Sequence, residues 1–307
     1  MRDERNILSF LKGILTVHPR FYIGQIRKIG LIVSLFILAS CGATPLTTVT
    51  SVPEGGPVAF VNDSLYAQTL VHCLDANGAI SYTKLRGDSD LSAYLREISR
   101  IRIDGFTSRW QEIAFWLNAH NAYVLDIIRS NPPVHSIDDI TAFRRAKVAL
   151  IGGTFYSLND IEHSIFTTRF REPRAFFALY DAAKSSPPLR PEPYYETKLS
   201  DQLDDQTRKF LADSTKNTLD RHSNVLYLSQ RFSEYSDEIT AITGTMLDFV
   251  RAFATGTNAN WISSHPSVRL AYLTYDNSLN ANDIEQPHEQ QPAPRKQPVR
   301  RPSGGIR

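Results

Sequence analysis

Apolar and polar positions divide the chain into unequal parts. A mixed basic stretch, residues 1–28, leads into an unbroken apolar run, "LIVSLFILAS", which starts at Leu31 and stops at Cys41. The next segment, up to Pro57, is rich in Thr, Pro and Gly and has no period, as a flexible tether does. Periodic positions then continue to about residue 280. The last segment, 281–307, is rich in Pro, Gln and Arg without any hydrophobic period, the composition of a disordered tail.

Between the two aperiodic segments the pattern is mainly helical. Leu65, Leu70, Val71 and Leu74 mark a first helix over Asp63–Leu74. Asn77-Gly78 reads as a turn. Ser89 or Asp90 caps a second helix with the stripe Leu91, Tyr94, Leu95, Ile98 and Ile101. A central helix runs from about Arg109 to Arg129 and stops before Pro132-Pro133. "KVALIGGTFYSL" reads as two short strands around Gly152-Gly153. Ser157, with Asp160 three residues on, opens a helix whose stripe is Leu158, Ile161 and Ile165. Further helices are expected over about Glu196–Ala212 and from the Thr245/Asp248 cap through Phe253, and a strand in "SVRLAYLTY". With few, scattered strands and no βαβ rhythm, the expected fold is α+β: a mainly helical single domain over 58–280. Roughly 220 residues are enough for one sizeable core.

Composition changes this picture only at the ends. Hydrophobic residues make up 42% and charged residues 21%, ordinary for a globular chain, and a net charge of +2 predicts no nucleic-acid partner. The apolar run is too short for a spanning helix and matches the core of a secretory signal over residues 1–40. "LASC", Leu38–Cys41, resembles a bacterial lipobox, in which the cysteine thiol takes the lipid and becomes the new N-terminus. The expectation is a membrane anchor through lipid on Cys41 and a tether over 41–57. Gly42 stands where aspartate commonly retains such proteins in the inner membrane, so the outer membrane, on its periplasmic face, is expected. Cys73 then has no intramolecular partner and reads as a buried structural thiol. The basic tail, with Arg295, Lys296, Arg300, Arg301 and Arg307, suits anionic envelope polymers or serves only to solubilise.

Candidate chemistry lies in three places. Asn118, His120 and Asn121 interrupt the apolar central helix. A buried amide left unpaired costs about 1–3 kcal/mol, so each asparagine must find a partner. They either fix the path of a neighbouring loop or line a pocket, and His120 suits packing best. In "SLNDIEHSIF", Asp160 lies one turn before His163 and could hold its ring. Glu162 falls beside the buried stripe and calls for an arginine, with Arg169, Arg171 and Arg174 close in sequence. In "YDAAKSSPPLRPEPYY", Asp181, Ser185 and Ser186 lie between an apolar run and a proline loop. The chain has no G-x-S-x-G elbow, H-E-x-x-H, phosphate loop or paired-cysteine zinc motif. Its eight histidines are scattered, so no metal or other cofactor is expected.

"AFWLNAHNAYVLDII", "GGTFYSLNDIEHSIF", "EPRAFFALYDAAKSSPPLRPEPY" and "YDNSLN" occur in an order that resembles the family known as domain of unknown function 547, over about residues 65–280. The resemblance brings no agreed activity. It implies a site of recurring Asn, Glu-His and Cys residues, matched here by Asn118, Asn121, Glu162 and His163. This chain departs from the pattern at His120, where tyrosine is common, and at four positions in one later segment. Phe176 stands for a histidine, Tyr180 for an asparagine, and Asp181 and Ser186 for cysteines. Asp181 supplies no thiolate, and Ser186 without a base is a far weaker nucleophile. The resulting expectation is a lipid-anchored envelope protein whose cleft, around Asn118, Asn121, Glu162 and His163, binds a small molecule or protein without thiol chemistry. The competing expectation is a hydrolase or acyl transferase with His163 as base, oriented by Asp160 or Glu162, acting with Ser186 or on water held by Asp181.

Overall fold

The computed structural model describes residues 56–283 except 57, 59, 77 and 133. The expected signal, Cys41, nearly all of the tether, and the tail beyond Asp283 lie outside the described residues. Among the described residues no helix is long and apolar enough to cross a membrane.

The centre of the domain is α4 (Arg109–Ser130), started by Ser108, whose hydroxyl accepts from Gln111 N–H. Every residue from Glu112 to Leu125 is buried, then Ile127 and Ile128. A helix apolar on all sides belongs inside a core, and other elements surround it. Two of these, α2 (Tyr82–Arg86) and α3 (Ser89–Ile98), pack directly on α4, while α1 (Asp63–Cys73) packs on α2 and α3. Asp88 caps α3, one residue ahead of the expected cap, because its side chain accepts from Leu91 N–H. The expected stripe of α3 is buried throughout, including Ile101 beyond its end.

Strands β1 (Ala149–Ile151) and β2 (Thr154–Tyr156) form a hairpin in register Ala149↔Tyr156 to Ile151↔Thr154. Its turn residues Gly152 and Gly153 have φ of 55° and 77°, the two positive values that a tight hairpin turn requires. A side chain at Gly152 would meet Ile103 Cγ1 at 2.7 Å and the Ile101 carbonyl at 2.9 Å. Further along the chain, α5 (Leu199–Ala212) follows the proline loop. A three-stranded sheet then places β4 (Val225–Ser229) between antiparallel β3 (Thr218–Asp220) and parallel β5 (Arg269–Leu273). The crossover from β4 to β5 holds α6 (Gln230–Glu234), α7 (Ser236–Thr243), α8 (Met246–Phe253) and α9 (Gly256–Ser264). Thr245 and Asp248 cap α8 as the spacing predicts. Beyond β5 the chain returns across the domain. Leu279 bonds His135, Asn280 bonds Ala182, and Asp283 caps α2 through Tyr82 N–H, Thr83 N–H and the Ser81 hydroxyl.

Candidate functional site

The helix that carries Glu162 is a π-helix over Asp160–Phe170. Ser157 and Asp160 open it with the reciprocal bonds of a capping box, and the Ser157 N–H holds the Asp160 carboxyl below its ordinary range. That capping role replaces the expected support of His163 by Asp160. The wider turn also changes the buried stripe. Ile161 and Phe166 are fully buried while Ile165 is only partly so, because five residues, not four, return the chain to the same face. Glu162 lands on the inner side and is 1% exposed.

Glu162 finds partners from three other elements. His120 Nε2 lies 3.0 Å from one oxygen, and Arg144 Nη1 (3.2 Å) and the Tyr235 hydroxyl (2.6 Å) donate to the other. The arginine is Arg144, from the segment between α4 and β1. Of the three expected from sequence proximity, Arg169 pairs with Glu112 and Arg174 with Glu172 and Asp204. Burial opposes the Glu162 charge, but the Arg144 guanidinium and the His120 bond outweigh it and hold the carboxyl well below the carboxylate range.

Asp181 is the second buried carboxylate of this cluster. Its Oδ2 accepts from Arg144 Nη2, from Tyr275 Oη at 2.7 Å and from Arg231 Nη1 at 3.4 Å. Arg231, on α6, has no solvent exposure and also donates to the Phe176 and Leu179 carbonyls. Burial works against the Arg144 charge, yet Glu162, Asp181 and Glu234 raise it further above its ordinary value. Burial, with the adjacent carboxylates, pushes the Tyr235 and Tyr275 phenols well up, so both remain hydroxyl donors. The residue after Asp181, Ala182, sits at φ 66°, a region rarely occupied without glycine.

Of this cluster, Arg144, Glu234 and Tyr275 line an open cleft of about 760 Å³ between the 137–145 segment, α6 and the chain after β5. Its walls carry amides and hydroxyls at Asn159, Gln230, Ser233, Thr274 and Asn277, and charges of both signs at Asp138, Arg145 and Glu234.

The residues singled out from sequence separate into groups. Asn118, Asn121, Glu162 and His163 do not line this cleft. Asn118 exchanges two bonds with the backbone of Tyr194, and Asn121 bonds Ala178 O and Tyr180 N–H. Both are buried, and they fix the loop paths on either side of Asp181 and Ser186. His163 is exposed, its ring centroid 6.4 Å from that of Tyr235. Ser186 is buried, accepts from Asp181 N–H and donates to the Pro187 carbonyl. Phe176 stacks on Tyr235 at 4.0 Å. His120 joins the cluster directly, its other nitrogen facing Asn121 Oδ1 at 3.2 Å. The sequence reading missed Arg144, Arg231, Tyr235 and Tyr275. Only Tyr275 carried a signal, as the first residue of "YDNSLN".

Residues 104–211 match the family described as protein of unknown function, DUF547. Over this third of the chain the protein is similar to the DUF547 family. The matched span is shorter than the motifs suggested. It holds α4, Arg144, Glu162, Asp181 and Ser186, whereas Arg231, Tyr235 and Tyr275 come from beyond it. The DUF547 segment therefore supplies both buried carboxylates of the cluster, and the later chain supplies an arginine and two phenols that hold them. No curated protein and no solved structure matches the chain.

Proposed function

We propose that this chain is a lipid-anchored protein of the cell envelope that binds a polar ligand in the Arg144–Tyr275 cleft, without thiol chemistry. The observation that carries the reading is the state of Asp181. It stands where the family resemblance implies a cysteine, and Arg144, Arg231 and Tyr275 occupy its Oδ2. A carboxylate so held neither attacks a substrate nor releases its partners at little cost.

The ligand class follows from the walls. Amides and hydroxyls lie beside an apolar strip of Ile137, Ile140, Ala142 and Phe143, and the charges of Asp138 and Glu234 balance those of Arg144 and Arg145. Such a cleft suits a neutral or zwitterionic molecule rich in hydroxyl and amide groups, and its volume lies within the usual range for small-ligand sites. In an envelope, glycan–peptide fragments of the cell wall have this chemistry. Lipid on Cys41 would hold the domain on the periplasmic face of the outer membrane, and the basic tail would approach anionic polymers there. The lipobox-like "LASC" and Gly42 support the anchor.

A hydrolase or acyl transferase is less well supported. His163 is exposed beside Tyr235, and the Ser186 hydroxyl already donates to Pro187 O. Neither is arranged as a nucleophile–base pair requires.

Calorimetric titration of the full chain with disaccharide-peptide fragments tests the ligand class. Saturable binding, weakened at least tenfold by Asn277→Ala or Arg145→Ala with thermal stability unchanged, is the expected result. No binding, or binding indifferent to both substitutions, rules out this cleft as its site.

A further inference from the structure

Away from the cleft, the C-terminal end of α1 meets the N-terminal end of α3. His72 and Cys73 end α1 and Asp88 caps α3. One donor atom from each residue lies within 4.8 Å of the other two. His72 Nδ1 is 3.2 Å from Asp88 Oδ2 and 3.9 Å from Cys73 Sγ. We propose that His72, Cys73 and Asp88 form a binding site for one zinc-class divalent cation.

Four features of the site support this. The donor set is thiolate, imidazole and a single carboxylate oxygen, which suits a borderline-soft ion and not magnesium or calcium. Bonds of about 2.0–2.3 Å to such donors place them around one ion at separations close to those observed. The carboxylate is also oriented in advance. Asp88 Oδ1 accepts from Leu91 N–H at 2.7 Å and from the Thr69 hydroxyl at 2.8 Å, and its backbone carbonyl accepts from Arg129 Nη1 at 3.0 Å. Oδ2 is left facing His72, as a ligand oxygen fixed by outer hydrogen bonds would be. Finally, Cys73 is 2% exposed whereas His72 is exposed, so a fourth coordination position opens toward solvent and would hold water.

The proton balance is defined. A cysteine thiol ordinarily titrates at about 8.5 and is protonated at neutral pH without metal. Binding exchanges the S–H bond for a sulfur–metal bond and passes one proton to the buffer. The spacing carries no local motif because Asp88 comes from a different helix.

The test uses the full chain carrying Cys41→Ser, so that Cys73 is the sole thiol. Cobalt(II) is titrated by absorption, zinc(II) is used to displace it, and proton release is read in weak buffer. A thiolate-to-cobalt charge-transfer band that saturates at one equivalent, with one proton released, is expected. Cys73→Ser should abolish the band. His72→Ala, which alters an exposed side chain and leaves the fold intact, should weaken binding at least tenfold. Thr69→Val should weaken it roughly 10–100-fold through the carboxylate. Absence of the band, its persistence in Cys73→Ser, or an unchanged titration in His72→Ala would overturn the proposal.

Discussion

Glu162→Gln perturbs the buried cluster with the smallest change of shape. Two Glu162 oxygens meet three donors, from His120, Arg144 and Tyr235. Glutamine retains one acceptor and turns an amide N–H₂ toward groups that are themselves donors. Arg144 loses one of three carboxylate partners while staying bonded to Asp181 and Glu234. Removing one member of a buried charge pair costs about 3–5 kcal/mol. For a domain of this size each kcal/mol lowers Tm by about 2–4 °C, so a fall of roughly 6–20 °C at pH 7 is expected. Thermal melts by circular dichroism measure it, with Asp104→Asn, in the exposed pair with Arg102, as a control that should not move. The effect of pH has a defined sign. The Glu162 carboxyl is lower in the fold than its ordinary value of about 4.3, so its contribution is complete above that pH and declines as pH falls toward the folded value. The gap between parent and variant should therefore narrow below about pH 4. A fall of less than about 2 °C at pH 7, where roughly 6–20 °C is expected, or a gap that widens in acid, would refute the reasoning.

Three further outcomes follow from the same geometry. Asn121→Ala leaves Ala178 O and Tyr180 N–H without their buried partner, at about 1–3 kcal/mol for each group, read as a lower urea midpoint; an unchanged midpoint would show that the loop holds itself. Gly152→Ala adds a side chain at φ 55° within 2.7 Å of Ile103 and should cost more than about 1 kcal/mol in the same assay; a neutral result would contradict the hairpin geometry. Burial raises the Asp63 carboxyl to about 6, so this group's contribution is complete below its unfolded value of about 3.9 and is lost as pH rises through 6. Asp63→Asn, which can still accept from Tyr94, should therefore raise Tm at pH 8 and leave it unchanged near pH 3.5. A difference that does not vary with pH would contradict the raised carboxyl.

Local signals carried much of the fold. The 3.6-residue stripe of α3, the mainly apolar surface of α4, the Gly152-Gly153 turn and the Ser157 and Thr245 caps each depend on neighbours within a few residues. The stripe expected for α1 was misplaced: of Leu65, Leu70, Val71 and Leu74 only Leu70 is buried and Val71 is exposed, because the helix turns Tyr66, Thr69, Leu70 and Cys73 inward. The π-helix escaped because a stripe read at helical period places Ile165 inside, whereas the extra residue per turn places Phe166 there. The arginines that pair with the buried carboxylates escape for a related reason. Arg144 and Arg231 look like surface residues in sequence, and only the fold brings them to Glu162 and Asp181 from opposite sides of a long loop. His120 was discounted because a histidine in an apolar helix usually packs, and it does pack, but against the one carboxylate that needed it. The asparagines were ambiguous between loop support and pocket lining. Their bonds to Tyr194, Ala178 and Tyr180 show them holding backbone.

In the proposed function, the cleft lined by Arg144 and Tyr275 holds a polar ligand and leaves it chemically unchanged. Native mass spectrometry of the full chain with disaccharide-peptide fragments, followed by denaturation of the same sample, tests it directly. The account predicts a one-to-one complex that dissociates into protein and fragment, each at its original mass. A covalent adduct on the chain, a cleaved fragment, or no complex at all would contradict it.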